Sequence, residues 1–71
     1  MHTVDARGLV CPLPLVKTKL AMEALAAGDS VLVLATDPEA EIDLKAWADE
    51  EGHAFTIRTR GEYELTKGTG Y

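Results

Sequence analysis

The chain carries a single cysteine among its 71 residues. That excludes an intrachain disulfide, a structural zinc site built from several thiolates and a CxxC redox couple. Without disulfide staples the chain fits a reducing compartment, so a cytoplasmic location is expected. Long hydrophobic runs are missing too. The longest purely apolar stretch is Val31 to Ala35, far too short to span a membrane, and the opening MHTVDARG has no apolar segment of the kind a signal peptide needs. A basic surplus is absent: the net charge is −5, which disfavours direct nucleic-acid binding through a broad basic face. At this length one domain, residues 1–71, is expected, burying only about 60% of its unfolded surface. Chemistry must then occur on the surface or in a site that a partner completes.

What is present divides cleanly at glycines: Gly8, Gly28, Gly52, Gly61, then Gly68 and Gly70. Residues 3–6 alternate polar and apolar, as a short strand does, and residues 7–11 read as a loop. Residues 12–27 are rich in Leu, Ala, Lys and Met and end at Gly28, the pattern of a helix with a glycine stop. Residues 30–35 are a strand-length apolar run, expected for a central strand buried on both faces or nearly so. Asp37-Pro38 supplies an N-cap acid and a proline at the first helical position, so a second helix is predicted over 39–51, seated on Ala40, Leu44, Trp47 and Ala48. Its acidic residues read as a solvated face favoured by the helix dipole. Residues 54–60 and 62–67 alternate about Gly61, as a β-hairpin does, with Arg58 and Arg60 able to face Glu62 and Glu64 across the ladder. His53 is read as a solvated turn residue. The order is βαβαββ. Both helices must cover one face of one sheet, because a chain this short cannot build a third layer, and both βαβ crossovers are expected to be right-handed.

The informative segment is Gly8-Leu9-Val10-Cys11-Pro12-Leu13-Pro14. Two prolines are tolerated in the first turn of a helix, where the N–H groups have no intrahelical acceptor. Either Cys11 is the N-cap, with Pro12 and Pro14 at the first and third helical positions and the Leu13 N–H free near the sulfur, or Pro14 opens the helix and Cys11 sits in the loop just before it. Both place the sulfur near the positive end of the helix dipole. There a thiol can be acidified from a pKa of about 8.5, more so with cations nearby, and Arg7, Lys17 and Lys19 are close in sequence. A thiolate so held is expected to act as a nucleophile on a bonded sulfur. A buried, inert cysteine fits poorly at a loop-to-helix junction.

The run Val4-Asp5-Ala6-Arg7-Gly8-Leu9-Val10-Cys11-Pro12-Leu13-Pro14 resembles the signature segment of the TusA/SirA/YedF family, whose core is Cys-Pro-x-Pro. Further landmarks follow in order: Lys17-Thr18-Lys19, Gly28-Asp29, Asp37-Pro38 and Gly52-His53. The resemblance implies an α+β two-layer sandwich with a mixed four-stranded sheet and two helices on one face, the last strand inserting between the second and third and antiparallel to both. It implies a sulfur carrier whose Cys11 accepts sulfane sulfur as a persulfide from a cysteine desulfurase or rhodanese-like donor. The carrier would pass that sulfur to a downstream acceptor protein, as in tRNA thiolation, molybdenum-cofactor synthesis or sulfur oxidation. Gly8, Pro12, Leu13, Pro14, Arg7 and Lys17 form the supporting motif. No cofactor and no metal are implied, and a monomer suits a carrier. Two departures stand out. Some relatives have proline where this chain has Lys45, so its second helix is free to start earlier. Leu20 replaces a frequent lysine.

Helix 1 carries two apolar stripes. Only one can be fully buried on the sheet, and the resemblance implies the register in which Leu15, Met22 and Leu25, with Thr18 between them, pack there. Val16, Leu20 and Ala24 would then be exposed beside the cysteine, and exposed apolar groups near a site suggest docking. Val16, Lys19 and Leu20 are the candidate partner-docking residues, and Lys17 is a candidate source of positive field. A redox-sensing or regulatory module using Cys11 without sulfur transfer is the competing reading. Donor, acceptor, pathway and the choice of sulfur or selenium are not written in these residues.

Overall fold

The computed structural model describes residues 2–68; Gly70, one of the punctuating glycines, lies outside them. Its elements run β1 (His2–Ala6), α1 (Leu13–Glu23), β2 (Ser30–Ala35), α2 (Glu39–Glu51), β3 (Ala54–Thr59) and β4 (Glu62–Thr66). The four strands form one sheet in the order β1-β2-β4-β3. β1 is parallel to β2, and β4 is antiparallel to both of its neighbours. The βαβαββ sandwich and the inserted last strand are therefore as the sequence led one to expect.

The core lies between the sheet and the helices. Val4, Val31, Val33, Ala35, Tyr63 and Leu65 supply the sheet side, and Met22, Leu25, Ala40, Leu44 and Ala48 the helix side. These are alternate residues on each strand, since a strand with one covered face buries every second side chain. β2 departs from expectation here. Val31, Val33 and Ala35 are buried, but Ser30, Leu32 and Leu34 are only half-buried. Both helices sit on the other face, and Leu32 stands in a cross-strand row between Thr3 and Glu64.

α1 is shorter than predicted. It stops at Glu23, not at Ala27, despite an alanine-rich continuation of high helix propensity. Local and tertiary bonds override that propensity. The Lys67 ammonium donates to the carbonyls of Met22 and Leu25, at 2.9 and 2.7 Å. The Ala26 N–H is taken by the Asp29 carboxylate. Gly28 sits in the following turn, bonded through its N–H to the Lys67 carbonyl. α2 keeps its predicted bounds. Gly61 turns the hairpin with φ +79°, and a Cβ there would lie 2.8 Å from the Ala35 carbonyl oxygen. Only glycine fits that approach.

Two side-chain expectations change. Arg58 pairs with Glu64 at 2.8 Å, but Arg60 lies away from the ladder. It lines a hollow of about 560 Å³ with Asp37, Glu41 and Tyr63. His53 is half-buried rather than solvated: its ring packs on Trp47 at 4.9 Å and its Nδ1 accepts the Gly68 N–H.

Candidate functional site

Cys11 is exposed on the loop joining β1 to α1. The helix begins at Leu13, with Pro12 at the cap position and Pro14 second in the helix. This falls between the two placements left open by the sequence: the cysteine sits in the loop just before the helix, yet Pro14 does not open it. The Leu13 N–H donates to the Val10 carbonyl at 2.8 Å, so it is not free for the sulfur. Pro14 is buried together with Thr18 and Met22, and its carbonyl accepts the Thr18 hydroxyl at 2.8 Å. The motif's second proline is thus part of the seat of α1 on the sheet.

The loop is held by the turn between β2 and α2. The Gly8 N–H donates to the Thr36 hydroxyl oxygen at 2.9 Å, with Gly8 at φ +82°, a left-handed conformation that favours glycine. The Cys11 N–H donates to Asp37 Oδ2 at 2.6 Å. The other oxygen of Asp37 accepts the Glu39 N–H at 3.0 Å. One carboxylate therefore caps α2 and fixes the cysteine backbone. Those two backbone donors hold the Asp37 carboxyl below its ordinary pKa, the Glu39 bond contributing most.

The electrostatics run opposite to the sequence expectation. The thiol donates to Asp43 Oδ2 on α2 at 2.8 Å. That hydrogen bond first, then desolvation and the negative charges of Asp43, Asp37 and Glu39, push the Cys11 thiol up to about 11. The nearby cations are engaged elsewhere. Arg7 forms a bidentate pair with Asp5, each bond 2.9 Å, and holds that carboxyl well below the usual carboxylate range. Lys17 donates to the Asp5 carbonyl at 2.6 Å. Lys19 stands over the Trp47 ring at 6.0 Å, by the groove between the C-terminal ends of the two helices. None of the three faces the sulfur, so Cys11 rests as a thiol and not as an amide-held thiolate.

Around the sulfur the surface is apolar on one side and acidic on the other. Val10, Leu13, Val16 and Leu20 are exposed by 65%, 47%, 43% and 63%, so the second stripe of α1 does face outward, as the family resemblance implied. Asp37 and Asp43 are the residues that sequence reasoning missed at this site. Asp43 left a signal: it sits at helical spacing within the stripe of Ala40, Leu44 and Trp47, where an acid is out of place. Among the described residues no group of three or more His, Cys, Asp or Glu side chains is arranged to hold a metal ion, and no helix is long and apolar enough to cross a membrane.

The family profile described as "Sulfurtransferase TusA" matches residues 2–66. The chain belongs to the TusA family. YrkI of Bacillus subtilis (strain 168) is 50% identical over 56 residues, covering 79% of this chain and 75% of YrkI. YrkF of the same organism is 44% identical over 64 residues, covering 90% of this chain but only 34% of YrkF. The sulfur carrier protein TusA of Allochromatium vinosum is 40% identical over 50 residues, covering 70% of this chain and 66% of that protein. Both YrkI and YrkF also bear sulfur-carrier names. A solved SirA-like protein from Desulfitobacterium hafniense superposes with a TM-score of 0.72 at 32% identity, over 100% of both chains. TusA membership and these relatives support a sulfur-carrier role, and with it interaction with donor and acceptor proteins.

Proposed function

We propose that this TusA-family chain relays sulfane sulfur on Cys11 as a persulfide. The Cys11 sulfur attacks the outer sulfur of a donor persulfide. One S–S bond forms as another breaks, the donor's inner sulfur leaves with the electron pair and takes up a proton, and nothing is oxidised or reduced. A second transfer of the same kind hands the sulfur to an acceptor. The observation that carries this reading is an exposed sulfur on a loop clamped by two long-range hydrogen bonds, Gly8 to Thr36 and Cys11 to Asp37. A fixed, reachable atom suits a hand-over between two proteins, whose active sites complete what this small domain lacks. A cysteine desulfurase or a rhodanese-like enzyme is the donor, and the cytoplasm is the setting.

The apolar rim of Val16 and Leu20, with Lys19 between them, is the surface on which the donor docks. The reading is tested by incubating the chain with a cysteine desulfurase and cysteine and measuring its mass. A gain of one sulfur that is lost in Cys11→Ser supports the relay. Oxygen adducts or disulfide dimers alone would instead make Cys11 a redox sensor. Leu20→Lys is expected to slow loading from the desulfurase several-fold while leaving the fold intact; an unchanged loading rate removes the docking surface from the proposal.

A further inference from the structure

The relay accounts for Cys11 and for the bonds that fix its loop, but not for Asp43. That carboxylate accepts the thiol at 2.8 Å and is half-buried on the flank of α2. Among the described residues it has no ion-pair partner, whereas Asp5 has Arg7 and Asp49 has Lys45. An acid set against an apolar seam without a cation is costly unless its hydrogen bond is useful.

Resting on the relay reading, we propose that Asp43 is a positioning residue that favours the empty carrier over the loaded one. It receives the thiol's hydrogen bond between transfers, and it opposes the persulfide anion once sulfur is attached. The balance of the loading step shows why. Before transfer Sγ carries a proton and donates it to Asp43. After transfer Sγ is bonded to a second sulfur and has no proton to donate, while the outer sulfur bears the negative charge that the more acidic persulfide acquires. The contact turns from a hydrogen bond into repulsion between like charges. The other charged groups around the sulfur do not offset this. Asp37 and Glu39, at the start of α2, add to the negative field, and Arg7 and Lys17 are committed to Asp5. The resting thiol is thereby protected from alkylating and oxidising agents, and the bound sulfur is biased toward discharge.

The test compares the wild-type chain with Asp43→Asn and Asp49→Asn. The second variant makes the same charge change on the same helix at a carboxylate already paired with Lys45. Each protein is equilibrated with glutathione and glutathione persulfide at a fixed ratio, and the loaded fraction is read by intact mass. The pH profile of iodoacetamide alkylation is read in parallel. In Asp43→Asn the ratio of loaded to empty carrier rises several-fold. The alkylation midpoint falls from about 11 toward that of an ordinary thiol. Alkylation at neutral pH quickens about three- to tenfold, less than the gain in thiolate because nucleophilicity drops with pKa. Asp49→Asn stays at wild-type values. Wild-type uptake with an unchanged loaded fraction and profile in Asp43→Asn overturns the role of Asp43 and leaves the relay standing. A variant that loads more slowly and to a lower extent also overturns it, because Asp43 would then be a base assisting the attack. Absence of uptake by the wild type overturns the relay reading itself, and the proposal built on it.

Discussion

The two helices lie on the same face of the same sheet and are seated in the same way, yet their outer faces differ in kind. α1 buries Pro14, Thr18 and Met22, and α2 buries Ala40, Leu44 and Ala48. Outward, α1 presents Val16 and Leu20, with Lys17 and Lys19 between them in the chain. α2 presents mainly acids, with Glu39 and Glu41 in its first turn and Ile42 exposed among them. α1 brings the sulfur to the surface at its N-terminal end, where it has no acidic side chain of its own. The carboxylate that accepts the thiol, Asp43, reaches over from α2, and Asp37, just before α2, holds the cysteine's backbone N–H. One helix carries the reacting atom and the other governs it, so the site belongs to neither element alone.

The sharpest way to break this comparison is through stability, because seat and outer face should differ most there. Leu44 is fully buried, and Leu44→Ala is expected to destabilise the chain by about 2–5 kcal/mol, as large-to-small core changes do. Leu20 lies at the middle of the outer stripe of α1, and Leu20→Ala is expected to cost less than about 0.5 kcal/mol. Urea unfolding midpoints of the two variants decide the point. A large loss at Leu20 would mean that the outer stripe is a second core contact and not a free surface.

Asp37 joins the two helices, and its removal should act on both. Asp37→Ala deletes the cap of α2 and the acceptor of the Cys11 N–H. Loss of a cap of this kind typically lowers the unfolding midpoint of so small a domain by a few degrees. The sign with pH follows from its depressed pKa. The folded state holds this carboxyl below its ordinary 3.8, so its contribution is present above about pH 4 and disappears as pH falls through the folded value. Thermal unfolding of wild type and Asp37→Ala should therefore differ at neutral pH and converge in acid. A constant gap across that range would assign the effect to packing rather than to the carboxylate.

The same comparison explains how much was legible in the sequence. The seat of α2, its start at Asp37-Pro38 and the hairpin about Gly61 all follow from local periodicity and turn chemistry, whereas periodicity gave α1 two opposite stripes and the family resemblance chose the outward one. A residue's own neighbours in the chain decide those features. The placement of Cys11 beside a helix start was legible for the same reason. Its electrostatics were not, because Asp43 is far from Cys11 in sequence and only the packing of α2 against α1 brings the two together. The end of α1 was misjudged on similar grounds: the side chain of Lys67, far along the chain, holds the carbonyls of Met22 and Leu25. Arg7 and Lys17 looked like a positive surround for the sulfur because they are close in number. Asp5 takes both instead, Arg7 through its carboxylate and Lys17 through its backbone carbonyl.

The smallest expected effect separates governing from merely solvated acids along α2. Lys45 and Asp49 form an exposed i,i+4 pair at 3.1 Å, with side-chain exposures of 61% and 65%. Such pairs contribute about 0.3–0.5 kcal/mol and weaken with salt. Asp49→Asn should therefore shift the urea midpoint within that small range, less again at high ionic strength, and leave Cys11 alkylation untouched. If it changes the reactivity of Cys11 as much as Asp43→Asn does, the whole acidic face acts on the sulfur through its summed field. If it does not, the control exerted by α2 is local to the carboxylate in contact with the thiol, which is what a 2.8 Å hydrogen bond in salt-screened surroundings requires.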